Sequence, residues 1–289
     1  MRIVVVGAAT DLGRRILRRL YDVEWVEVSG ATREASRLSE FLEHDEPPGI
    51  LEVDPENIPD AVEKLKDYER IVFCHTLTLS VPVAMALRQA GSDAKFVFFS
   101  SNNVAIDFDS PVYARLRSAE ADIVAMNGEW AIVRPTMAYG SPNDGTIGLL
   151  VQYAIKKGVV PMIGKGEAKL QPIHYDDLTD LAVILTLRRD LPQIRVGAAG
   201  GEAISTADLN KKIVACTGGK ARIISAPIGV MKTMVGLFGK VGPVTSEIIQ
   251  RSQVDRLPTW PPFVDWAPRV SLEDGINKVI EDVRAGMAK

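Results

Sequence analysis

The chain has 289 residues, of which 46% are hydrophobic and 25% charged, with a formal net charge of −3 and a pI of about 5.8. These values are typical of a soluble globular protein, and they favour neither nucleic acid nor an anionic membrane as a partner. The two cysteines, Cys74 and Cys216, lie in apolar patterns. We therefore expect buried free thiols and a reducing, cytoplasmic compartment.

Segments typical of strands alternate with segments typical of helices through the first half of the chain. The predicted strands are Ile3–Val6, Trp25–Val28, Ile50–Val53, Ile71–Cys74, Lys95–Phe99 and Trp130–Val133. The predicted helices are Leu12–Leu20, Glu34–Leu42, Ile58–Lys66, Val81–Gln89 and Val112–Met126. This alternation predicts an α/β fold with a doubly wound parallel sheet of the Rossmann type. A ligand of such a sheet binds beyond the carboxyl ends of its strands.

The pattern changes after Gly140, where turn residues become frequent and Gly158–Gly166 is predicted to be a loop. A helix at Asp177–Leu187 and a strand at Ile194–Gly197 then predict a return to the sheet. The apolar stretch Ile228–Phe238 favours a core or substrate-lobe helix over a helix on a membrane surface, because it carries few basic residues. We predict a Rossmann domain from residues 1–140 and 171–200, and a smaller substrate-binding lobe from residues 141–170 and 201–289.

The first predicted strand runs directly into a turn with Gly7, Thr10 and Gly13 at the spacing G-x-x-G-x-x-G. Gly7 permits a tight turn, Gly13 permits close packing of helix on strand, and the N–H groups at the start of the helix attract a diphosphate. Thr10 at the middle position either crowds the phosphates or donates a hydrogen bond to them. The predicted cofactor-binding residues of this turn are Gly7, Ala9, Thr10, Asp11, Leu12 and Gly13. The alternative is a turn that only packs.

Three further residues bear on the cofactor. NAD sites typically place an acid after the second strand, whereas here Arg33 offers a planar fork suited to a 2′-phosphate, so NADP is favoured over NAD. Asp54 is predicted to accept a hydrogen bond from the adenine amino group, or else to serve as a turn acid. His75 follows a predicted strand and would line the path of the cofactor. The three histidines, His44, His75 and His174, show no spacing typical of a metal site, so no metal is expected.

The candidate chemistry lies in Ser101, Tyr113 and Arg117. Tyr113 and Arg117 are four residues apart on a predicted helix, so they share one face. A nearby cation favours the ionised form of a phenol, and a serine hydroxyl can orient a substrate oxygen. The three together would move a proton while a nicotinamide gives or takes a hydride. The alternative is that the serine turns the chain and the tyrosine packs.

Six segments in order resemble the extended short-chain dehydrogenase/reductase superfamily over nearly the whole chain, most closely its nucleoside-diphosphate-sugar epimerase/dehydratase-like members. They are Gly7–Gly13, Phe98–Ser101, Tyr113–Glu120, Ile132–Gly140, Gln171–Leu178 and Ala199–Glu202. The resemblance implies a small lobe that closes on the substrate, with Ser101 and Tyr113 as the catalytic serine and tyrosine. It also implies Pro135 and Thr136 near the nicotinamide, and His174 and Asp177 where the lobes meet. It further implies a homodimer through the helices that start near Val81 and Val112.

Two positions depart from the family pattern: Arg117 stands where the family has lysine, and Thr10 where it has glycine. The main hypothesis is an NAD(P)-dependent epimerase, dehydratase or reductase that acts on a nucleotide sugar or a similar small carbonyl or alcohol compound. The two departures favour the alternative of a non-catalytic NADP(H)-binding sensor or an accessory, structural subunit. A third possibility is an interaction module that binds no cofactor.

Overall fold

The computed structural model describes residues 1–41, 48–240 and 244–287, and it divides into two units. The first unit consists of Met1–Pro135, Leu178–Ala198 and Trp260–Trp266. The second consists of Thr136–Asp177, Ala199–Thr259 and Ala267–Lys289. Residues 136–140, 171–177 and 199–200, which the sequence places in the Rossmann domain, belong here to the second unit, and residues 260–266 belong to the first.

The regular elements are numbered in chain order. The strands are β1 Arg2–Val6, β2 Glu27–Thr32, β3 Gly49–Glu52, β4 Arg70–Phe73, β5 Lys95–Phe99, β6 Trp130–Pro135, β7 Met137–Tyr139, β8 Val159–Ile163, β9 Lys169–Leu170, β10 Pro172–His174, β11 Ile194–Ala198, β12 Ile204–Ser205 and β13 Arg222–Ala226. The helices are α1 Asp11–Tyr21, α2 Ile58–Leu65, α3 Leu77–Gln89, α4 Pro111–Ala125, α5 Ile147–Lys157, α6 Tyr175–Leu187, α7 Thr206–Cys216, α8 Ile228–Phe238, α9 Ser246–Arg251 and α10 Leu272–Met287. Two 3₁₀ segments are Ala35–Phe41 and Asn102–Ala105.

The first unit is built on a seven-stranded sheet with the order β11-β6-β5-β4-β1-β2-β3. All neighbouring strands pair in parallel. The order reverses between β1 and β4, which is the topological switch point where ligands of open α/β sheets bind. The predicted Rossmann-type sheet is therefore confirmed.

Aromatic side chains form the centre of the core on one face of this sheet. Phe73 and Phe98 are fully buried and stack with ring centroids 5.1 Å apart, and Phe96 meets both rings at an angle. Burial of each phenyl ring stabilises the fold by about 1.5–3 kcal/mol. Continuous burial explains why the sequence pattern predicts Lys95–Phe99 with the bounds that the structure shows.

The second strand lies later in the chain than its pattern predicts, because small residues rather than large apolar ones fill it. Trp25 is 60% exposed, and β2 runs from Glu27 to Thr32. A Cβ at Gly30 would lie 2.8 Å from the side chain of Leu17 in α1, so only a small residue fits beneath that helix. The strand therefore ends at Thr32, and Arg33 follows it directly.

The edge strand β11 is covered by the segment Trp260–Trp266. The Gly197 N–H donates to the Pro261 carbonyl oxygen at 2.8 Å, and a Cβ at Gly197 would lie 2.1 Å from the Trp260 carbonyl oxygen. The guanidinium groups of Arg134 and Arg195 lie 4.8 and 5.1 Å from the Trp260 ring centroid. This cover protects an otherwise open sheet edge.

The second unit contains three strand pairs: β7 with β10 and β8 with β13 in parallel, and β9 with β12 antiparallel. Its core includes Tyr139 and Ile147 beside apolar residues of α7 and α10. The loop predicted at Gly158–Gly166 is wrong, because Val159–Ile163 pairs with β13, a partner that lies far along the chain.

Helix α8 has the bounds of the predicted apolar helix, and it is apolar on both its buried and its exposed sides. Met231 and Val235 are buried against Ile249, whereas Leu237 and Phe238 are more than 70% exposed. Within the described residues, no helix is long and apolar enough to cross a membrane.

Candidate cofactor and active site

The turn between β1 and α1 is closed tightly by two glycines. Gly7 has a φ of +83°, a conformation that favours glycine, and a Cβ there would lie 3.2 Å from the backbone carbon of Cys74. A Cβ at Gly13 would lie 2.3 Å from the Gly7 carbonyl oxygen, so the helix touches the turn at this point. The turn has the shape that the glycine spacing predicts, because protein backbone fills the space that a side chain would need at either glycine.

Thr10 caps the helix from within the turn. Its hydroxyl donates to the Gly7 carbonyl oxygen at 2.8 Å and accepts from the Gly13 N–H at 3.0 Å. The side chain is therefore held back against its own turn by two hydrogen bonds. In the described part of the chain, the N–H groups of Asp11 and Leu12 donate to no protein acceptor. These two N–H groups of the first helical turn, which the partial positive charge of the helix N-terminus reinforces, can hold an anion.

The end of β4 lies beside this turn. The Cys74 N–H donates to the Val6 carbonyl oxygen at 2.8 Å, and burial raises the pKa of the Cys74 thiol. His75 Nδ1 and the Ser80 hydroxyl form a hydrogen bond of 2.8 Å. The Nε2 atom of His75 is buried and has no partner among the described residues. Burial lowers the pKa of His75 to about 4, so the ring is neutral at pH 7. A neutral imidazole here can line a cofactor path but brings no charge to a phosphate.

Both cysteines are free thiols and partly buried. Burial also raises the pKa of Cys216, and Glu273 contributes to that shift. No group of three or more His, Cys, Asp or Glu side chains that could hold a metal occurs among the described residues. His44 lies outside the described residues.

Arg33 is held by two carboxylates from the segment that follows β3. Its Nε donates to Asp54 Oδ1 and its Nη2 to Glu56 Oε2, both at 3.1 Å. Asp54 Oδ1 also accepts the Glu56 N–H at 3.1 Å, which fixes the turn. All three side chains are about half exposed or more. One cation between two anions gives this cluster a formal charge of −1, which the sequence spacing did not predict.

Ser101 and Tyr113 are connected through a third residue, Asn103. The Asn103 side-chain amide donates to the Tyr113 hydroxyl oxygen at 2.8 Å, in a buried position. The Asn103 backbone N–H donates to Ser101 Oγ at 3.2 Å, which caps the 3₁₀ segment after β5. Tyr113 is only 8% exposed and lies in the first turn of α4. The structure therefore brings these two predicted residues to one amino acid that the sequence reasoning did not single out.

Arg117 uses its guanidinium to fix the loop that carries Asn103. Nη1 donates to the carbonyl oxygens of Val104 and Asp107 at 3.0 Å each, and Nη2 donates to that of Phe108 at 3.1 Å. The guanidinium also lies 5.0 Å from the Phe108 ring centroid. A lysine ammonium could not span these acceptors as a planar fork does. This geometry gives the family departure at Arg117 a local structural reason.

No family model and no curated protein matches the chain. Among solved structures, UDP-glucuronic acid 4-epimerase from Bacillus cereus, in complex with UDP-glucuronic acid and NAD, matches with a TM-score of 0.73 at 17% identity, over 99% of each chain. UDP-glucose 4-epimerase from Thermotoga maritima, with UDP-glucose, matches with a TM-score of 0.73 at 15% identity, over 99% of this chain and 100% of that chain. The dTDP-glucose 4,6-dehydratase from Bacillus anthracis, in complex with NAD, matches with a TM-score of 0.72 at 14% identity, over 100% of this chain and 98% of that chain.

The chain has the fold of these epimerases and this dehydratase. The resemblance drawn from the sequence motifs is therefore confirmed at the level of the fold. At these identities the likeness carries no residue roles, so the predicted site residues stay predictions, and the geometry of this chain has to support them.

Beneath Ser101 lies a buried polar network that the sequence reasoning missed. Ser100 donates to Glu120, and the guanidinium of Arg134 makes two hydrogen bonds to the same carboxylate. Both charged side chains are less than 10% exposed. The pair connects α4 to β6 and so holds the helix that carries Tyr113 against the sheet. The arginine of the Arg-Pro-Thr segment was the available signal, because a strand arginine inside an apolar run needs a buried partner.

The remaining predicted residues lie at the end of β6 in the first unit or within Thr136–Asp177, the first segment of the second unit. Pro135 is the last residue of β6, and the Thr136 hydroxyl donates to the Gln171 carbonyl oxygen. His174 is buried, with its ring in edge contact with the Tyr139 ring at 5.2 Å. The Asp177 carboxylate accepts backbone N–H groups from residues 269 and 270, so it fixes the chain that leads into α10.

Proposed function

We propose that this protein is an oxidoreductase or epimerase that uses a nicotinamide dinucleotide and acts on a nucleotide sugar or a similar small alcohol or carbonyl compound. The observation that carries the proposal is the position of Tyr113. Its hydroxyl is buried and hydrogen-bonded to a residue of the loop that follows the carboxyl end of β5. The glycine turn follows the carboxyl end of β1, so both lie at the same end of the parallel sheet. Only β4 lies between β1 and β5, so the two strand ends are about 10 Å apart. A dinucleotide can span that distance.

The residues of the first unit fit such a cofactor. The diphosphate would lie at the N–H groups of Asp11 and Leu12, with Gly7 and Gly13 keeping the turn tight and Ala9 beside it. Thr10 does not block this position, because two hydrogen bonds hold its hydroxyl against the turn. The bound nicotinamide would supply the hydride chemistry, and Pro135 and Thr136 are proposed to lie near it.

The cofactor is proposed to be NAD(H), with NADP(H) as the alternative. The sequence-based preference for NADP depends on Arg33, and this side chain already lies between Asp54 and Glu56. A 2′-phosphate at this guanidinium would meet two carboxylates of the same sign, whereas a ribose 2′-hydroxyl could donate to one of them. The carboxylates therefore favour the cofactor without the extra phosphate. The two epimerase and dehydratase structures described above with NAD bound agree with this choice.

In the proposed reaction, the ionised Tyr113 hydroxyl accepts the proton of the substrate hydroxyl, and the carbon that bears this hydroxyl loses its hydride to the bound nicotinamide. In the reverse direction the neutral phenol returns the proton. Ser101 orients the reacting oxygen through its hydroxyl. Arg117 holds the loop from Val104 to Phe108 in place. The second unit is proposed to supply the substrate lobe.

The direct test is Tyr113→Phe, assayed against a panel of nucleotide sugars and aldehydes. Loss of the proton acceptor should lower turnover by about 10²-fold or more, while calorimetry shows unchanged binding of the dinucleotide. Tyr153→Phe, which makes the same chemical change in α5, is the control and should retain activity. Unchanged turnover in Tyr113→Phe would remove this residue from the mechanism.

A second candidate function is a non-catalytic NADP(H)-binding sensor or accessory subunit. It is favoured by Arg117, whose guanidinium is engaged by three carbonyl oxygens of its own loop. This candidate predicts that the purified protein binds the dinucleotide but leaves its redox state unchanged with every member of the substrate panel. Turnover of any member would exclude it.

A homodimer through α3 and α4 also stays a proposal. Each helix exposes apolar side chains, namely Met85 in α3 and Val112 and Val124 in α4. Sedimentation at micromolar concentration should give twice the monomer mass, and a charged substitution such as Met85→Glu should restore the monomer.

A further inference from the structure

We propose that Asn103 is a positioning residue that sets the protonation state of Tyr113 and connects it to Ser101. The proposal rests on the function proposed above, because it takes Tyr113 as the residue that exchanges the proton. It goes further because it assigns to a neutral side chain the task that the sequence analysis predicts for the charge of Arg117.

The contacts of Asn103 support this role on both sides of the residue. Its side-chain amide donates to the Tyr113 hydroxyl oxygen at 2.8 Å, and its backbone N–H donates to Ser101 Oγ at 3.2 Å. Asn103 is 9% exposed and Tyr113 is 8% exposed, so water competes little with the bond between them. One residue therefore fixes the relative positions of the two hydroxyl groups that the proposed reaction needs.

Several hydrogen bonds hold the backbone around Asn103 in place. The Asn103 carbonyl oxygen accepts the N–H groups of Ile106 and Asp107 at 3.1 and 2.9 Å. Arg117 then binds the carbonyl oxygens of Val104 and Asp107. The amide is thus presented to the tyrosine from a rigid turn, and little side-chain freedom is lost when its hydrogen bond strengthens.

The chemical consequence follows from the direction of the hydrogen bond. An N–H that points at a phenol oxygen binds the ionised oxygen more strongly than the neutral one, so it favours ionisation. A carboxylate at the same position would do the opposite, since it would accept the proton of the neutral phenol and repel its anion. Asn103→Asp therefore reverses the effect with almost no change in shape, and Asn103→Ala removes it.

The test uses the whole protein labelled with ¹³C at the tyrosine ring carbon that carries the hydroxyl. The chain has six tyrosines, and the Tyr113 signal is identified by its loss in Tyr113→Phe. The pH at which this signal takes its phenolate position is then measured by NMR in each variant. Asn103→Ala should move that pH upward by about one unit, which corresponds to one hydrogen bond to a charged group. Asn103→Asp should move it further in the same direction.

Asn127→Asp is the matched control, since it makes the same change of charge on an exposed residue beyond the other end of α4. It should leave the Tyr113 titration in place. Asn103→Ser keeps a small donor and should lie between the wild type and Asn103→Ala, so it gives an answer even where Asn103→Ala fails to fold. The proposal is overturned if Asn103→Asp leaves the titration unchanged or moves it downward, or if Asn127→Asp moves it as far.

This measurement needs no substrate, so it separates the two proposals. Unchanged turnover in Tyr113→Phe would refute the proposed function and leave the titration result standing. Where a substrate is turned over, the acid limb of its pH–rate profile should move upward in the same order, Asn103→Ala and then Asn103→Asp. A purely structural role would lower the rate without moving that limb.

Discussion

Neutralising the two carboxylates that hold Arg33 should change which dinucleotide the protein prefers. The double substitution Asp54→Asn and Glu56→Gln keeps the size of both side chains and leaves Arg33 without an anionic partner from this pair. The guanidinium fork is then available to a 2′-phosphate. We expect the affinity for NADP(H) to rise relative to that for NAD(H).

The magnitude follows from the charges and their exposure. Asp54 and Glu56 are 49% and 66% exposed, so a water-like dielectric is appropriate. Two unit charges about 5 Å apart then interact by about 0.8 kcal/mol. Because a phosphate monoester carries about −1.5 to −2 charges, each carboxylate opposes it by about 1.5 kcal/mol before salt screening. Removing both should shift the affinity ratio by about 10- to 100-fold, since 1.4 kcal/mol corresponds to tenfold.

Calorimetric titration with NADH and NADPH at low and at high salt measures this ratio. The gain should shrink at high salt, because the interaction is between exposed charges. Glu63→Gln is the matched control, since it removes another exposed carboxylate that is paired with a lysine of its own segment. A ratio within twofold of the wild type, or an equal change in Glu63→Gln, would refute the reasoning.

Three further predictions concern the same unit. Gly13→Ala places a Cβ against the Gly7 carbonyl oxygen. Dinucleotide binding should therefore be lost, and thermal melts should show stability lower by about 1–3 kcal/mol. Normal binding would contradict the proposed phosphate site. Arg117→Lys should accelerate hydrogen exchange of the backbone amides in residues 104–108, because an ammonium replaces the guanidinium that binds three carbonyl oxygens. Unchanged exchange would contradict the role of Arg117 in holding this loop. The pKa of His75 is about 4 in the folded protein, below its value of about 6.5 in the unfolded chain. As the pH falls from about 6.5 to 4, the unfolded state therefore binds more protons than the folded state, and the free energy of unfolding decreases. In thermal melts at a series of pH values, His75→Asn should lose less stability than the wild type over that interval. A loss equal to that of the wild type would contradict the burial of the ring.

The sequence determined the elements whose cause is local. The continuous apolar run Phe96–Phe99 predicts a buried strand because both faces of such a strand are covered, and the structure places it in β5, Lys95–Phe99. The spacing of Gly7 and Gly13 predicted a tight turn, because the backbone conformation of such a turn depends on residues that are close together in the sequence. The motifs also indicated the fold correctly, since the chain has the fold of an epimerase to which it is only 17% identical.

Tertiary structure decided which side chains meet. The partners of Arg33 follow another strand, and that pairing depends on β2 lying beside β3 rather than on any spacing along the chain. Asn103 reaches Tyr113 because the loop after β5 folds back on α4. The strand β2 consists largely of small residues and ends at Thr32, later than the sequence pattern predicts. Periodicity reports whether a position is buried. Hydrogen bonds and ion pairs between distant residues depend on strand order and loop path, which have no local pattern.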